Sequence, residues 1–196
     1  MSVSEAIGRP DGDTPAGRVA YQGAPGAFSH EACVALRPWD EPVGFETFDE
    51  AIEALKSGDC GCALIPVENS TIGVVEPAAT LVKALGVEPV GEVWRPIRLA
   101  LMAVEGARLS DIRTVESHPV ALRQCAHTLE AMRLKAVEVF DTAGAARDVA
   151  LAGDPTRAAV APVGAAEAYG LSILRNDMQD SMHNRTRFVL LSLSEG

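Results

Sequence analysis

Asn184-Arg185-Thr186-Arg187-Phe188-Val189-Leu190-Leu191 runs a polar cluster directly into an apolar stretch near the end of the chain. The unbroken apolar residues from Phe188 onward read as a buried strand. A polar set at the mouth of a strand is where open α/β sheets hold ligands. Arg187 offers a planar guanidinium fork to a carboxylate, and Thr186 places a neutral hydroxyl beside it that can give or accept a proton. The pair predicts a site for a small carboxylic acid whose chemistry involves a hydroxyl group.

Working back from this stretch, short apolar runs alternate with amphipathic ones. Arg18–Tyr21, Val43–Phe45, Cys62–Val67, Val90–Val93, Ile97–Val104, Ile112–Val115, Ala136–Phe140, Ala158–Val160 and Leu171–Leu174 read as extended segments. Between them, helices are predicted over Phe28–Leu36, from Asp49 to Gly58, through Ala78, Leu81, Val82 and Leu85, and over Ala121–Met132, Ala143–Ala152 and Gly164–Tyr169. Phe28, Ala32 and Leu36 show the four-residue spacing of a single helical face. Such alternation implies mainly parallel sheets joined by right-handed crossovers. Two similar series suggest two α/β lobes joined near Trp94–Arg98: residues 18–97 with 187–196, and residues 98–186. Residues 1–17 are expected to form a flexible tail.

Polar residues gather where predicted strands end. Gly23-Ala24-Pro25-Gly26 leads into a helix start, where backbone N–H groups can take an anion, or it is simply a tight turn. Glu68-Asn69-Ser70 follows a buried strand and can bind a ligand or cap the next helix. Ser117-His118-Pro119 offers an acid–base histidine or a structural hydrogen bonder. Asp141-Thr142 has the form of an N-cap. No GxGxxG, P-loop, HExxH or serine-triad pattern is present, which removes support for dinucleotides, nucleotide phosphates, zinc peptidases and triad hydrolases.

Composition fits that reading. The chain has 196 residues, 47% of them apolar, which suits a folded protein with a sizeable core. A net charge of −10 disfavours nucleic acid and anionic membranes as partners. An anionic ligand would need a local positive pocket, for which Arg187 is the candidate. Cys33, Cys60, Cys62 and Cys125 lack metal-site spacing and are expected to be reduced thiols. Residues 1–17 lack the apolar core of an export signal, and no apolar run approaches the ~20 residues needed to cross a bilayer. A cytoplasmic location is expected, with no metal and no cofactor.

Six clusters together resemble the catalytic domain of prephenate dehydratases over about Val19–Leu193. They are Ala20-Tyr21-Gln22-Gly23 through Gly26-Ala27-Phe28-Ser29-His30; Pro66-Val67-Glu68-Asn69-Ser70 with Gly73; Gly91-Glu92; Ser117-His118-Pro119 through Cys125; Asp141-Thr142-Ala143; and Gln179-Asp180 followed by Asn184-Arg185-Thr186-Arg187-Phe188. The chain departs from the family pattern at Ala27, usually threonine, and at Asp141, usually serine. The resemblance implies two α/β lobes of the type II periplasmic-binding-protein kind with an active site between them. It also implies loss of water and carbon dioxide from prephenate to give phenylpyruvate, a step toward phenylalanine.

On that basis Thr186 is expected to protonate the leaving ring hydroxyl, with Thr142, Ser117 and His118 as candidate proton suppliers. Arg187, Asn69, Ser70 and the backbone near Gly26 are expected to hold carboxylates, with Phe188 and Asn184 completing the binding set. The regulatory motifs found downstream in many relatives are not in this sequence, so insensitivity to phenylalanine is expected, and a homodimer is expected by analogy. Two rivals are arogenate dehydratase, for which Asp141 would be the ammonium partner, and a non-catalytic small-acid binder of the same fold.

Overall fold

In the computed structural model the described residues are 17–84 and 86–194. The predicted tail, apart from Gly17, and Leu85 of the third predicted helix lie outside them. The chain divides into two compact units. Unit 1 takes the described residues of Met1–Gly23, Ser29–Arg95 and Arg185–Gly196, and unit 2 takes Ala24–Phe28 and Pro96–Asn184.

Unit 1 contains β1 (Arg18–Gln22), α1 (Phe28–Leu36), β2 (Glu41–Phe45), α2 (Phe48–Lys56), β3 (Cys62–Asn69), β4 (Gly73–Val74), α3 (Ala78–Ala84) and β5 (Val87–Pro96). The first residue of α1 and the last of β5 are assigned to unit 2. The strand β11 (Arg185–Leu193) returns at the end of the chain, and the sheet order is β2-β1-β3-β11-β5, with β4 on β3. β1 is parallel to β2 and β3, whereas β11 runs antiparallel to β3. One face of this sheet packs Ala20, Ala63, Ile65, Val189 and Leu191 against Ala51, Ile52, Ala54 and Leu55 of α2. That helix is set locally. Thr47 and Glu50 form a reciprocal capping box, acidic residues fill the first turn, and Lys56 sits in the last.

Unit 2 holds β6 (Leu99–Ala103), β7 (Thr114–Ser117), α4 (Pro119–Gln124), α5 (Ala126–Ala131), β8 (Lys135–Glu138), α6 (Thr142–Ala152), β9 (Arg157–Pro162), α7 (Val163–Tyr169) and β10 (Ser172–Arg175). Its order is β10-β6-β9-β7-β8, with β7 parallel to β8 and β9, and β6 antiparallel to β9 and β10. Alternation along β6 sends Leu99, Leu101 and Ala103 into one core and Ala100 and Met102 into the other, so both faces are buried.

The α/β alternation read from the sequence is present, in two sheets that are mixed, not mainly parallel. The reason is long-range: β6 and β11 each enter their sheets beside strands running the opposite way. Several boundaries move with the pairing. Glu68 and Asn69 belong to β3, Ser117 belongs to β7, and the last strand begins at Arg185, so each of these polar residues is held by a ladder where a loop was expected. The predicted helix over Ala121–Met132 is two helices broken at Cys125, whose φ of −116° and ψ of 11° leave the helical region.

Candidate active site

The predicted site residues divide between the units: Asn69, Ser70, Thr186, Arg187 and Phe188 in unit 1, and Gly26, Ser117, His118, Thr142 and Asn184 in unit 2.

In unit 1 the amino end of β11 lies beside the carboxyl end of β3, because the two strands are antiparallel. Thr186 pairs with Asn69 and Arg187 with Glu68, while the next pair is Phe188 with Pro66. Val67 is therefore an extra residue in the β3 ladder, a bulge of the kind that re-aims side chains. Without that one-residue shift, Glu68 would face away from Arg187. With it, Thr186 and Asn69 share one face of the sheet, and Arg187 and Glu68 share the other.

On the first face, Asn69 Nδ2 donates to Thr186 Oγ1 at 2.9 Å, with both residues buried. The Asn69 amide is oriented by its own turn, since Oδ1 accepts from the backbone N–H groups of Thr71 (2.9 Å) and Ile72 (3.1 Å). The oxygen of the amide is thus committed to the turn and its NH2 to the threonine. Thr186 Oγ1 receives a hydrogen bond, and no acceptor for its own proton is found among the described residues. That proton remains available to a ligand. Phe188, on the same face, is 2% exposed and so is not an open contact surface. Ser70 clamps the strand pair: its Oγ accepts from Arg185 N at 3.0 Å, and its N–H donates to Arg185 O at 2.9 Å. The Arg185 guanidinium rests 4.8 Å from the centre of the Trp94 ring.

On the second face, Arg187 is already paired. Its Nε donates to Glu68 Oε2 at 3.1 Å, its Nη2 lies 3.1 Å from the same oxygen, and its Nη1 donates to Glu92 Oε2 at 3.2 Å. The expected arrangement, in which Thr186 and Arg187 face one acid side by side, is corrected: neighbours along a strand leave it on opposite faces. Glu68 and Glu92 were missed as partners of Arg187. Their only signal in the sequence was membership of the Pro66–Ser70 and Gly91-Glu92 clusters.

In unit 2, Ser117 is fully buried and donates to Val160 O at 2.6 Å, so its hydroxyl proton pins β7 to β9. It is not a free proton supplier. His118 N-caps α4, its Nδ1 accepting from Val120 N at 3.2 Å. Asp141 is the N-cap of α6, its Oδ2 accepting from Gly144 N, and Thr142 is the first residue of that helix. The carboxylate at this family departure is thus spent on capping. Gly26 has a φ of +82°, and a Cβ there would meet Ala165 Cα at 2.5 Å. Close approach of two backbones requires a glycine here. Asn184 is buried, and its carbonyl accepts from Ile97 N at 2.9 Å. Gln179 and Asp180 also hold structure: Gln179 Oε1 accepts from Leu99 N at 2.8 Å, and Asp180 accepts from the N–H groups of His127 and Thr128, each at 3.0 Å, at the start of α5.

Among the described residues no group of three or more His, Cys, Asp or Glu side chains is placed to hold a metal ion, and no helix is long and apolar enough to cross a membrane.

With this geometry in view, the family model described as prephenate dehydratase matches residues 19–195. A relative from Arabidopsis thaliana, arogenate dehydratase/prephenate dehydratase 2, chloroplastic, is 42% identical over 175 residues, covering 89% of this chain and 46% of the relative. A bifunctional N-acyl-homoserine lactone acylase/prephenate dehydratase from Komagataeibacter europaeus is 38% identical, over 89% of this chain and 62% of its own length. This chain therefore spans less than two thirds of either curated relative. Among solved structures, the prephenate dehydratase of Arthrobacter aurescens in complex with L-Phe superposes with a TM-score of 0.83 at 25% identity, over 91% of this chain and 61% of that one.

Proposed function

Because this chain belongs to the prephenate dehydratase family, we propose that it converts prephenate to phenylpyruvate, water and carbon dioxide, with Thr186 as the proton donor. The hydrogen bond from Asn69 to Thr186 carries this reading. A threonine hydroxyl is a weak acid, and a donor aimed at its oxygen stabilises the charge that develops as the proton leaves.

The reaction is a 1,4-elimination across the cyclohexadiene ring. The bond between the ring and its carboxylate breaks, and the electron pair enters the ring and completes the aromatic sextet. The opposite carbon–oxygen bond breaks, and the departing oxygen takes the Thr186 proton and leaves as water. Solvent then returns a proton to Thr186. One proton is consumed, and the ring carboxylate leaves as carbon dioxide. The Thr186–Asn69 pair carries no formal charge, which suits a carboxylate that must give up its charge in the transition state.

Arg187 leaves β11 on the face opposite Thr186 and pairs with Glu68 and Glu92, so in this reading it braces β11 against β3 and β5 and does not touch the substrate that Thr186 protonates. The same proposal includes a cytoplasmic enzyme, which suits four free thiols with no disulfide, and a homodimer, which light scattering tests. The deciding experiment is incubation of the purified protein with prephenate, following phenylpyruvate by its ultraviolet absorbance in alkali. Folded protein that releases none refutes the proposal.

A further inference from the structure

Arg98, Asp177, Gln179 and Met182 close a small knot between the start of β6 and the loop that runs from β10 to β11. Gln179 is buried, and its Oε1 accepts from Leu99 N at 2.8 Å, so its NH2 is turned the other way. That NH2 lies 3.0 Å from Asp177 Oδ1 and 3.1 Å from Met182 Sδ. Arg98 Nη1 approaches the same two acceptors, at 3.2 and 2.8 Å. Two donors, one of them cationic, thus converge on a thioether, which is a weak acceptor. Met182 is 48% exposed, so a small solute reaches its sulfur. The other described methionines differ. Met102 and Met178 are fully buried, and Met132 meets one donor, Arg175 Nη1, at 3.4 Å.

We propose that Met182 is a modification site for hydroperoxides, oxidised to a sulfoxide whose oxygen Arg98 and Gln179 hold. The sulfur lone pair attacks the terminal oxygen of the O–O–H group, and the O–O bond breaks. The proton on the transferred oxygen passes to the departing one, which leaves as water, or as an alcohol from an organic hydroperoxide. Methionine loses two electrons and the hydroperoxide gains them. The new S–O bond is strongly polar, and the two N–H groups stand where its negative end develops, so they stabilise it as it forms. Oxidation of a methionine ordinarily disrupts packing, because a flexible apolar side chain becomes polar. Here the opposite sign is expected, since a weak acceptor between two donors is exchanged for a strong one. Ile97 N donates to Asn184 O at 2.9 Å beside the knot, so the sulfoxide tightens the segment that leads into β11. This inference does not depend on the dehydratase reading.

The test treats the folded, full chain with hydrogen peroxide, locates the added oxygen by peptide mass spectrometry, and compares urea midpoints before and after treatment. Wild type, Arg98→Ala and Met182→Leu are taken through the same steps. Met182 is expected to gain oxygen at least about tenfold faster than Met102 and Met178. The wild-type midpoint is expected to rise on oxidation. In Arg98→Ala, whose truncated side chain is 40% exposed in the wild type, it is expected to fall, because the sulfoxide has lost its cationic donor. Met182→Leu is expected to show no shift, which assigns the wild-type change to this sulfur. The proposal is overturned if Met182 reacts no faster than Met102 and Met178. It is equally overturned by a wild-type midpoint that falls or stays put, or by Arg98→Ala and wild type responding alike. A shift that persists in Met182→Leu places the effect at another residue and also refutes it.

Discussion

Asn69 Nδ2 lies 2.9 Å from Thr186 Oγ1, joining the carboxyl end of β3 to the amino end of β11 across 117 residues of sequence. The amide cannot turn over to present its oxygen, because two backbone N–H groups hold that oxygen. In this structure Thr186 Oγ1 accepts from Asn69, which leaves its own proton to point elsewhere.

Replacing Thr186 by alanine removes that proton. A positioned acid contributes roughly 10²–10⁴-fold, so kcat should fall by that order while KM changes little. Thr186→Ser keeps the hydroxyl and should retain most of the rate. Steady-state kinetics on the two variants checks this, and a Thr186→Ala enzyme of near-normal kcat would remove the residue from the role.

Asn69→Ala affects both the reaction and the fold. It deletes the donor to a buried hydroxyl and unties the turn at Thr71 and Ile72. Loss of buried hydrogen bonds of this type costs about 1–3 kcal/mol, so the urea midpoint should drop together with kcat. A variant with unchanged stability would show that the turn holds without the amide.

Gly26→Ala should be destabilising by about 1–3 kcal/mol or more, because a Cβ there meets the Ala165 backbone and the positive φ disfavours any side chain. Since Ala165 Cα would be only 2.5 Å away, no flexible side chain can relieve the clash. Thermal melting of the variant against wild type is the measurement, and an unchanged Tm would contradict the packing account.

Glu116 and Arg157 form a two-pronged pair at 2.6 and 2.9 Å, with the glutamate side chain 8% exposed. Breaking a buried pair leaves the other charge uncompensated at a cost of about 3–5 kcal/mol. Arg157 is one-third exposed, so Glu116→Ala should cost less, about 1–3 kcal/mol. The double variant Glu116→Ala/Arg157→Ala should recover part of the loss in denaturant titrations. If the double variant is no more stable than Glu116→Ala, the uncompensated arginine is not the source of the loss.

Burial lowers the pKa of His30 from its ordinary 6.5. In the folded protein the ring, 5.6 Å from that of Tyr21, resists protonation. The unfolded chain then binds more protons as pH falls below 6.5, so this contribution to stability is complete above 6.5 and is lost as pH drops toward the lowered folded value. His30→Phe should flatten the stability profile between pH 6.5 and about 5, leaving the carboxylate-driven loss at lower pH. An unaltered slope in that interval would show that His30 is not responsible.

Local patterns in the sequence carried the α/β class, the helix starts and the polar clusters. The N-cap at Asp141 needs only neighbours along the chain, so it is legible in one dimension. Ser117 and Gly26 were not: the acceptor of the serine is Val160 on an adjacent strand, and the obstacle beside the glycine is the backbone at Ala165. No spacing rule names such partners.

By itself the sequence determined that a threonine hydroxyl and a guanidinium would stand next to each other at the start of a buried strand. Tertiary structure decided what each of them meets. A one-residue bulge at Val67 and the antiparallel return of β11 put Asn69 under Thr186 and Glu68 under Arg187, and the pairing of β5 with β11 adds Glu92. Side chains alternate faces along a strand, so the register of strands more than a hundred residues apart, and not the order of residues, sets which charges and hydrogen-bond donors share a face.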